Sequence, residues 1–488
     1  MLSINEIRKR ADSFLEEIYR ELYLTESGQK DNPALSIIYE RYDDIADKKI
    51  IEVIKEEGIS GGIEEKGRLK YLLEFIVDNY IGNRKREYEE KILTLQAKAE
   101  IKLPEGKMPF RQSEIELIGE RDRDRRETIE KAREKVIRGF NPLYEELFNI
   151  SYNTVDELNY NGYIEMYQET SGIDLYSLSS AMQYFLDATK DIYIEMIGQL
   201  LDSRLGIRLE DAKKHDLGHL FRSMEYDRYF SQDKMMPVIK RFTEDAGIDI
   251  TANGNIIFDI KKREKKSPRA FCAAVRVPAE IYLVIMPHGG LSDWLAFLHE
   301  LGHSLHYGYA ENNIPFEYRR LGDNSVTEGY AFLLEHLLLN NLWLNEYLDI
   351  DKSDDFLKFA YIWKLYILRR YASKISYELI LHREHNLSEK DKTYSKILTD
   401  GTCVKYEPVY YLYDVDPGFY AARYLRAWMF EAQLSSYLCD NFGEEWFRDR
   451  MCGKFLTELW REGQRYRVEE IVSQLGYNGL DIEILIKG

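Results

Sequence analysis

The chain has 488 residues and carries 67 Lys and Arg against 85 Asp and Glu, a formal net charge of -18. That balance repels phosphate backbones and anionic lipid surfaces, which argues against nucleic acid or a membrane as partner. No apolar run reaches the roughly 18 residues of a membrane span, the amino terminus is charged where a signal peptide needs an apolar core, and the four cysteines lack C-x-x-C spacing. The expectation is a cytoplasmic protein in a reducing compartment.

The length exceeds that of a usual single domain, and the pattern predicts a mainly α protein of two helical halves, 1-202 and 203-488. From Ser3 to about Gly206 apolar residues recur at three- and four-residue steps, as in Ile7, Phe14, Ile18 and Leu22, and again in Leu72, Phe75, Ile76 and Tyr80. No strand-like alternation is expected there. Breaks are expected at Gly58 to Gly62, at Pro104 through Pro109, at Gly139 to Pro142 and at Gly172. The charged run Glu120 to Arg126 reads as a solvated helix face. His215 and His219, at helical spacing around Asp216, read as an ordinary polar face, with a second metal pair or a groove lining as alternatives.

After Gly247 three short β-prone runs follow, Asn255 to Ile260, Ala270 to Arg276 and Ile281 to Met286, which predict a small sheet over 255-287. The basic stretch Lys261 to Arg269 reads as a solvated turn. A sheet placed here can offer an open edge to an extended peptide. Ser292 and Asp293 are candidate caps for a helix over 292-308 that contains Leu298-His299-Glu300-Leu301-Gly302-His303.

Two histidines four residues apart on a helix project from one face and reach one metal ion, and the intervening glutamate serves a metal-activated water, as in the H-E-x-x-H pattern. A third ligand is required. His306 lies two turns from His299, about 10 Å along the axis, too far for bonds near 2 Å. Position 309, where an elongated motif would have histidine, is Tyr309. Glu328, in a helix expected over 325-340, is the candidate, completing a His299, His303 and Glu328 set with an open position for water. Ser325 and Glu328 also spell a capping box, in which Glu328 would bond back to the backbone instead.

The stretch from Pro268 through Glu335, about one-seventh of the chain, resembles the thimet oligopeptidase and oligoendopeptidase F family of zinc peptidases. The resemblance rests on the strand pair, the histidine helix, the separation of Glu328 from His303 and a further acid at Glu335. It implies one zinc ion, short peptide substrates, a deep groove between the helical halves and Glu300 as general base, with Glu335 orienting an imidazole from the second layer. It also directs attention to the segment Tyr410 to Trp428. There Tyr420 and Tyr424 fall one turn apart on a helix expected over 418-438, and Arg423-Tyr424 is similar to a pair in the more distant angiotensin-converting enzyme. Tyr424, then Tyr420, are the candidate oxyanion donors. No histidine follows His385. The family's carboxyl-terminal histidine is therefore missing, and Asp414 falls near its place. Two alternatives stand beside a zinc-dependent peptidase: a carboxypeptidase with the same metal set, and a non-catalytic, zinc-stabilised peptide-binding protein. The oligomeric state is not legible.

Overall fold

The computed structural model describes residues 2–350 and 354–487. The chain is mainly α, with two small sheets. Its residues pack into two compact units, each built from separated stretches. One comprises Met1–Tyr80, Met224–Leu357 and Arg426–Gly488, the other Ile81–Ser223 and Lys358–Leu425. Among the described residues no helix is long and apolar enough to cross a membrane.

In the first unit the three expected β-prone runs form one sheet. Glu280–Val284 is central, parallel to Ile256–Asp259 and antiparallel to Phe271–Arg276. The basic stretch between the first two strands is not merely solvated. Lys266 is buried, and its ammonium donates to the carbonyls of Asp259 at 2.6 Å, Lys261 at 3.0 Å and Ile285 at 2.9 Å. Arg263 donates to both carboxylate oxygens of Asp259 and to the Ser27 carbonyl. These cations fasten the loop to the sheet end, because a buried ammonium persists only where acceptors replace its water.

The helix Leu291–Tyr309 lies against this sheet. Phe297 meets Phe258 with ring centroids 6.3 Å apart, and Asn255 donates to the Gly308 carbonyl at 2.9 Å. A Cβ on Gly308 would fall 2.7 Å from Ile256, so glycine sets how closely strand and helix approach.

In the second unit two expectations fail for local reasons. The Pro104 region is the turn of a hairpin, Glu100–Leu103 paired with Gly106–Pro109. Its alternation, with Ile101 and Leu103 buried between exposed neighbours, spans only four residues, too few to stand out among helical periods. Gly139 to Pro142 is no break either, because one helix runs from Arg123 to Glu157 with Pro142 inside. Burial of Ile137 and Phe140 offsets a proline that costs roughly 3 kcal/mol in a helix interior. The other three breaks are present, near Gly61, between the helices that end at Lys98 and begin at Phe110, and at Gly172, the last in the left-handed conformation with φ 70°.

Arg126 is likewise no solvated residue. It is 1% exposed and donates to Asp216 at 2.9 Å, and Asp216 also accepts from Arg123 at 3.1 Å and from the Lys213 N–H at 3.1 Å. Asp216 is thus consumed by an internal ion pair. His219 bonds the Ile118 carbonyl at 2.8 Å through Nδ1. The His215 to His219 segment contributes to no metal-ligand group of three among the described residues.

Candidate metal centre

The histidine helix starts one residue earlier than expected, and its cap differs. Gly290, with φ 94°, is the N-cap, and Asp227 accepts the Leu291 N–H at 3.0 Å. Asp293 sits in the first turn and its carboxylate reaches back to the N–H groups of His288 and Gly289, at 2.6 and 2.9 Å. Ser292 does not cap the helix. A Cβ at Gly290 would come within 2.7 Å of Asp227, so both the backbone angle and the space require glycine.

Two turns further on, His299 and His303 stand with ring centroids 4.9 Å apart. Their Nε2 atoms lie 3.4 and 3.6 Å from one oxygen of Glu328. These three residues offer ligand atoms within 4.8 Å of one another, the one such group of His, Cys, Asp or Glu among the described residues. His306 takes no part. It is buried, with Nε2 3.1 Å from the Gly463 carbonyl.

The far nitrogens fix the rings. His299 Nδ1 is 2.8 Å from Glu335, and His303 Nδ1 is 2.8 Å from the Thr327 hydroxyl. A carboxylate only accepts, so Nδ1 of His299 donates, and in the neutral ring Nε2 turns its lone pair toward the Glu328 oxygen. Two electron-rich atoms face each other there, an arrangement that a cation between them satisfies, and the residues present therefore fit a divalent metal of the zinc type. In the absence of a metal a proton takes that place. Burial alone would lower the pKa of His299, but Glu328 and Glu335 outweigh it and raise the pKa well above its ordinary value. His303 is pushed down to about 4 by burial. For Glu300, burial pushes the carboxyl up to about 7, with His299 opposing and Glu328 adding to the rise. Glu335→Gln, which can no longer act as a purely accepting partner for His299, is expected to weaken zinc binding about 10–100-fold, read by competition with a chromophoric chelator.

The ligand helix is Asn324–Glu335, and residues 336–339 tighten into a 3₁₀ turn instead of continuing to 340. Asp323 is its N-cap, accepting the Ser325 N–H at 3.1 Å. The capping box from Ser325 to Glu328 is therefore not formed. Ser325 is inside the helix, and the Glu328 carboxylate faces the histidines. Arg426 grips the cap, donating to the two oxygens of Asp323 at 2.9 and 2.6 Å and to the Ser325 hydroxyl at 2.8 Å. Such a bidentate, buried clamp sets where the helix begins and so where Glu328 points.

Close helix crossing completes the geometry. A Cβ on Gly302 would lie 2.5 Å from Ala331 Cα and 2.6 Å from the Tyr330 carbonyl, and one on Gly329 would lie 2.3 Å from the Phe430 ring. Backbone would have to move in the first case. Gly302→Ala is therefore expected to cost about 1–3 kcal/mol, seen as a lower melting temperature, and to weaken zinc binding because the helices that carry the ligands are pushed apart.

Tyr420 and Tyr424 lie at the start of the helix Tyr420–Phe442, in the stretch belonging to the other unit. Their rings meet edge to face at 5.0 Å, and Tyr424 meets Tyr371 in the same way at 5.4 Å. Asp414 does not stand free in place of a histidine. It is ion-paired with Arg370 and accepts the Tyr394 hydroxyl at 2.7 Å. Burial acts to raise its pKa, but Arg370, Lys374 and Lys214 outweigh it and hold the carboxyl well below the usual range. A carboxyl depressed on folding stabilises above its unfolded pKa, about 3.9, and loses that contribution as pH falls. Asp414→Asn is expected to destabilise the protein by about 3–5 kcal/mol at pH 7 by leaving Arg370 uncompensated. The gap to wild type should shrink as urea melts are repeated toward pH 3.

Thr327, Asp323 and Arg426 had escaped sequence reasoning. An Asp two residues before Ser325 is a legible cap signal, whereas nothing in the order of residues marks Thr327 or Arg426 as neighbours of the site.

No protein-family model matches the chain, and no curated protein matches it. Among solved structures it is similar to one described as "a putative oligoendopeptidase F from Bacillus anthracis str. Ames", with a TM-score of 0.70, 12% sequence identity, and coverage of 98% of this chain and 88% of that one. At that identity the likeness is one of fold. The chain thus has an oligoendopeptidase F-like fold, and within it a three-residue group able to hold a metal ion.

Proposed function

We propose that the protein is a zinc-dependent peptidase that hydrolyses peptide bonds in short peptides. The observation that carries this reading is the convergence of His299 Nε2, His303 Nε2 and a Glu328 oxygen beside Glu300. A purely structural zinc site closes all four positions with protein and has no need of an adjacent base, whereas three ligands with a neighbouring glutamate are the catalytic pattern. The name given to the similar structure points the same way.

The ion, when bound, supplies Lewis acidity and a more acidic water. Glu300 accepts the proton of the attacking water and returns it to the leaving amine, a task suited to a carboxyl whose pKa burial has brought near neutrality. Glu335 and Thr327 hold the two imidazoles in register. Tyr424, and secondarily Tyr420, are assigned to hydrogen-bond the oxyanion of the tetrahedral intermediate.

Incubating the zinc-loaded chain with a mixed peptide library and reading products by mass tests this directly. Internal cleavage is expected. Stepwise loss of carboxyl-terminal residues would instead establish a carboxypeptidase, and retention of peptides without products would establish a binding protein.

A further inference from the structure

The second unit contains a cavity of about 320 Å³ that shares no residue with the metal centre, lined by four glutamates, four lysines and His215. Most of its charges are satisfied internally. Glu127 holds Lys213 at 2.7 Å and Lys131 at 2.9 Å, and Glu407 holds Lys405 at 2.8 Å.

The remaining groups define what the cavity can accept. Glu130, 5% exposed, accepts the Tyr410 hydroxyl at 2.8 Å on one oxygen, while the other has no hydrogen bond and lies 4.0 Å from Arg133 Nε. His215, also 5% exposed, has an Nε2 without a hydrogen bond, 3.7 Å from an Asp216 oxygen. Lys214 sets its ammonium 3.9 Å from the centroid of the Tyr410 ring, and among the described residues no carboxylate lies within ion-pair distance of it, although Asp414 and Glu130 are near enough to act on its charge. Glu134 likewise pairs with no cation among them, and burial with the nearby Glu407 and Glu130 pushes its carboxyl above the ordinary value.

Buried polar atoms are nearly always paired, so two of them lining one cavity mark a place for a ligand. A simple anion would be repelled by Glu130 and Glu134, and a simple cation by Lys214. A molecule with both charges satisfies each. We infer that this cavity binds a small zwitterion, an α-amino acid or a dipeptide. Its ammonium lies on Glu130 and Glu134, its carboxylate on Lys214, and His215 Nε2 is a further hydrogen-bond partner. The volume is at the lower end of the range for small-ligand sites, which suits molecules of this size.

Isothermal titration calorimetry on the full, metal-free chain tests this, with L-alanine and alanyl-alanine as ligands and acetate and methylamine as half-ligands. The expected result is saturable binding of one alanine or alanyl-alanine per chain, at least tenfold tighter than either half-ligand. Binding should weaken at least tenfold in Lys214→Met and in Glu130→Gln and stay unchanged in His299→Ala. Which of the two ligands binds more tightly separates an amino-acid site from a dipeptide site. On the wild type, alanine should also shift one histidine Nε2 resonance in a ¹⁵N spectrum, a readout that needs no variant to fold. No saturable binding, equal affinity for acetate or methylamine, binding lost with His299→Ala, or no histidine shift would overturn the inference.

Discussion

Glu300→Gln is expected to lower peptide turnover by about 10²–10⁴-fold, the usual contribution of a positioned general base, while zinc still binds at one ion per chain. Gln keeps the size of the side chain and removes its capacity to take a proton. The group is placed for that role by local structure. It follows His299 on the helix Leu291–Tyr309, where burial has raised its carboxyl to about 7. The check is a paired measurement, initial rates on a quenched-fluorescent peptide and metal content by atomic emission on the same preparation. Turnover at the wild-type rate with zinc bound would remove Glu300 from the mechanism.

Glu328→Gln should act one step earlier, on the metal itself. It replaces a charged ligand by a neutral amide, and the loss of affinity should exceed the roughly 10–100-fold typical of changing an outer-layer partner such as Glu335. Activity at limiting zinc falls with it. The same substitution removes one of the two carboxylates that raise His299, so in the metal-free protein the pKa of that histidine should drop, visible in an NMR titration. Undiminished zinc stoichiometry in this variant would mean that the third ligand lies elsewhere. The two variants together separate chemistry from metal retention, since the first should lose rate and keep zinc and the second should lose both.

Much of the site was legible because its signals are local. The four-residue spacing of His299 and His303 needs only helix geometry to be read, and the three β-prone runs before it formed the small sheet with bounds close to those expected. Caps were less legible. Ser292 and Ser325 are good cap residues by type, but Gly290 and Asp323 hold those positions, because Asp227 and Arg426, distant in the chain, supply the partners that decide where each helix begins. Charged stretches misled for the same reason. Lys266 and Arg126 look like solvent-facing charges, and each is drawn inward by acceptors from another segment.

What the sequence by itself determined is therefore the mainly helical class and the placement of His299 and His303 on one face of one helix, since periodicity and spacing act within one helix. Only the tertiary structure decided that a Glu328 oxygen meets both histidines, that Glu335 and Thr327 hold their far nitrogens, and that Gly302 lets the two helices cross closely enough for this. The physical reason is distance along the chain. A side chain's partners across a helix crossing are set by packing and by the closest backbone approach, and neither is written in the order of neighbouring residues.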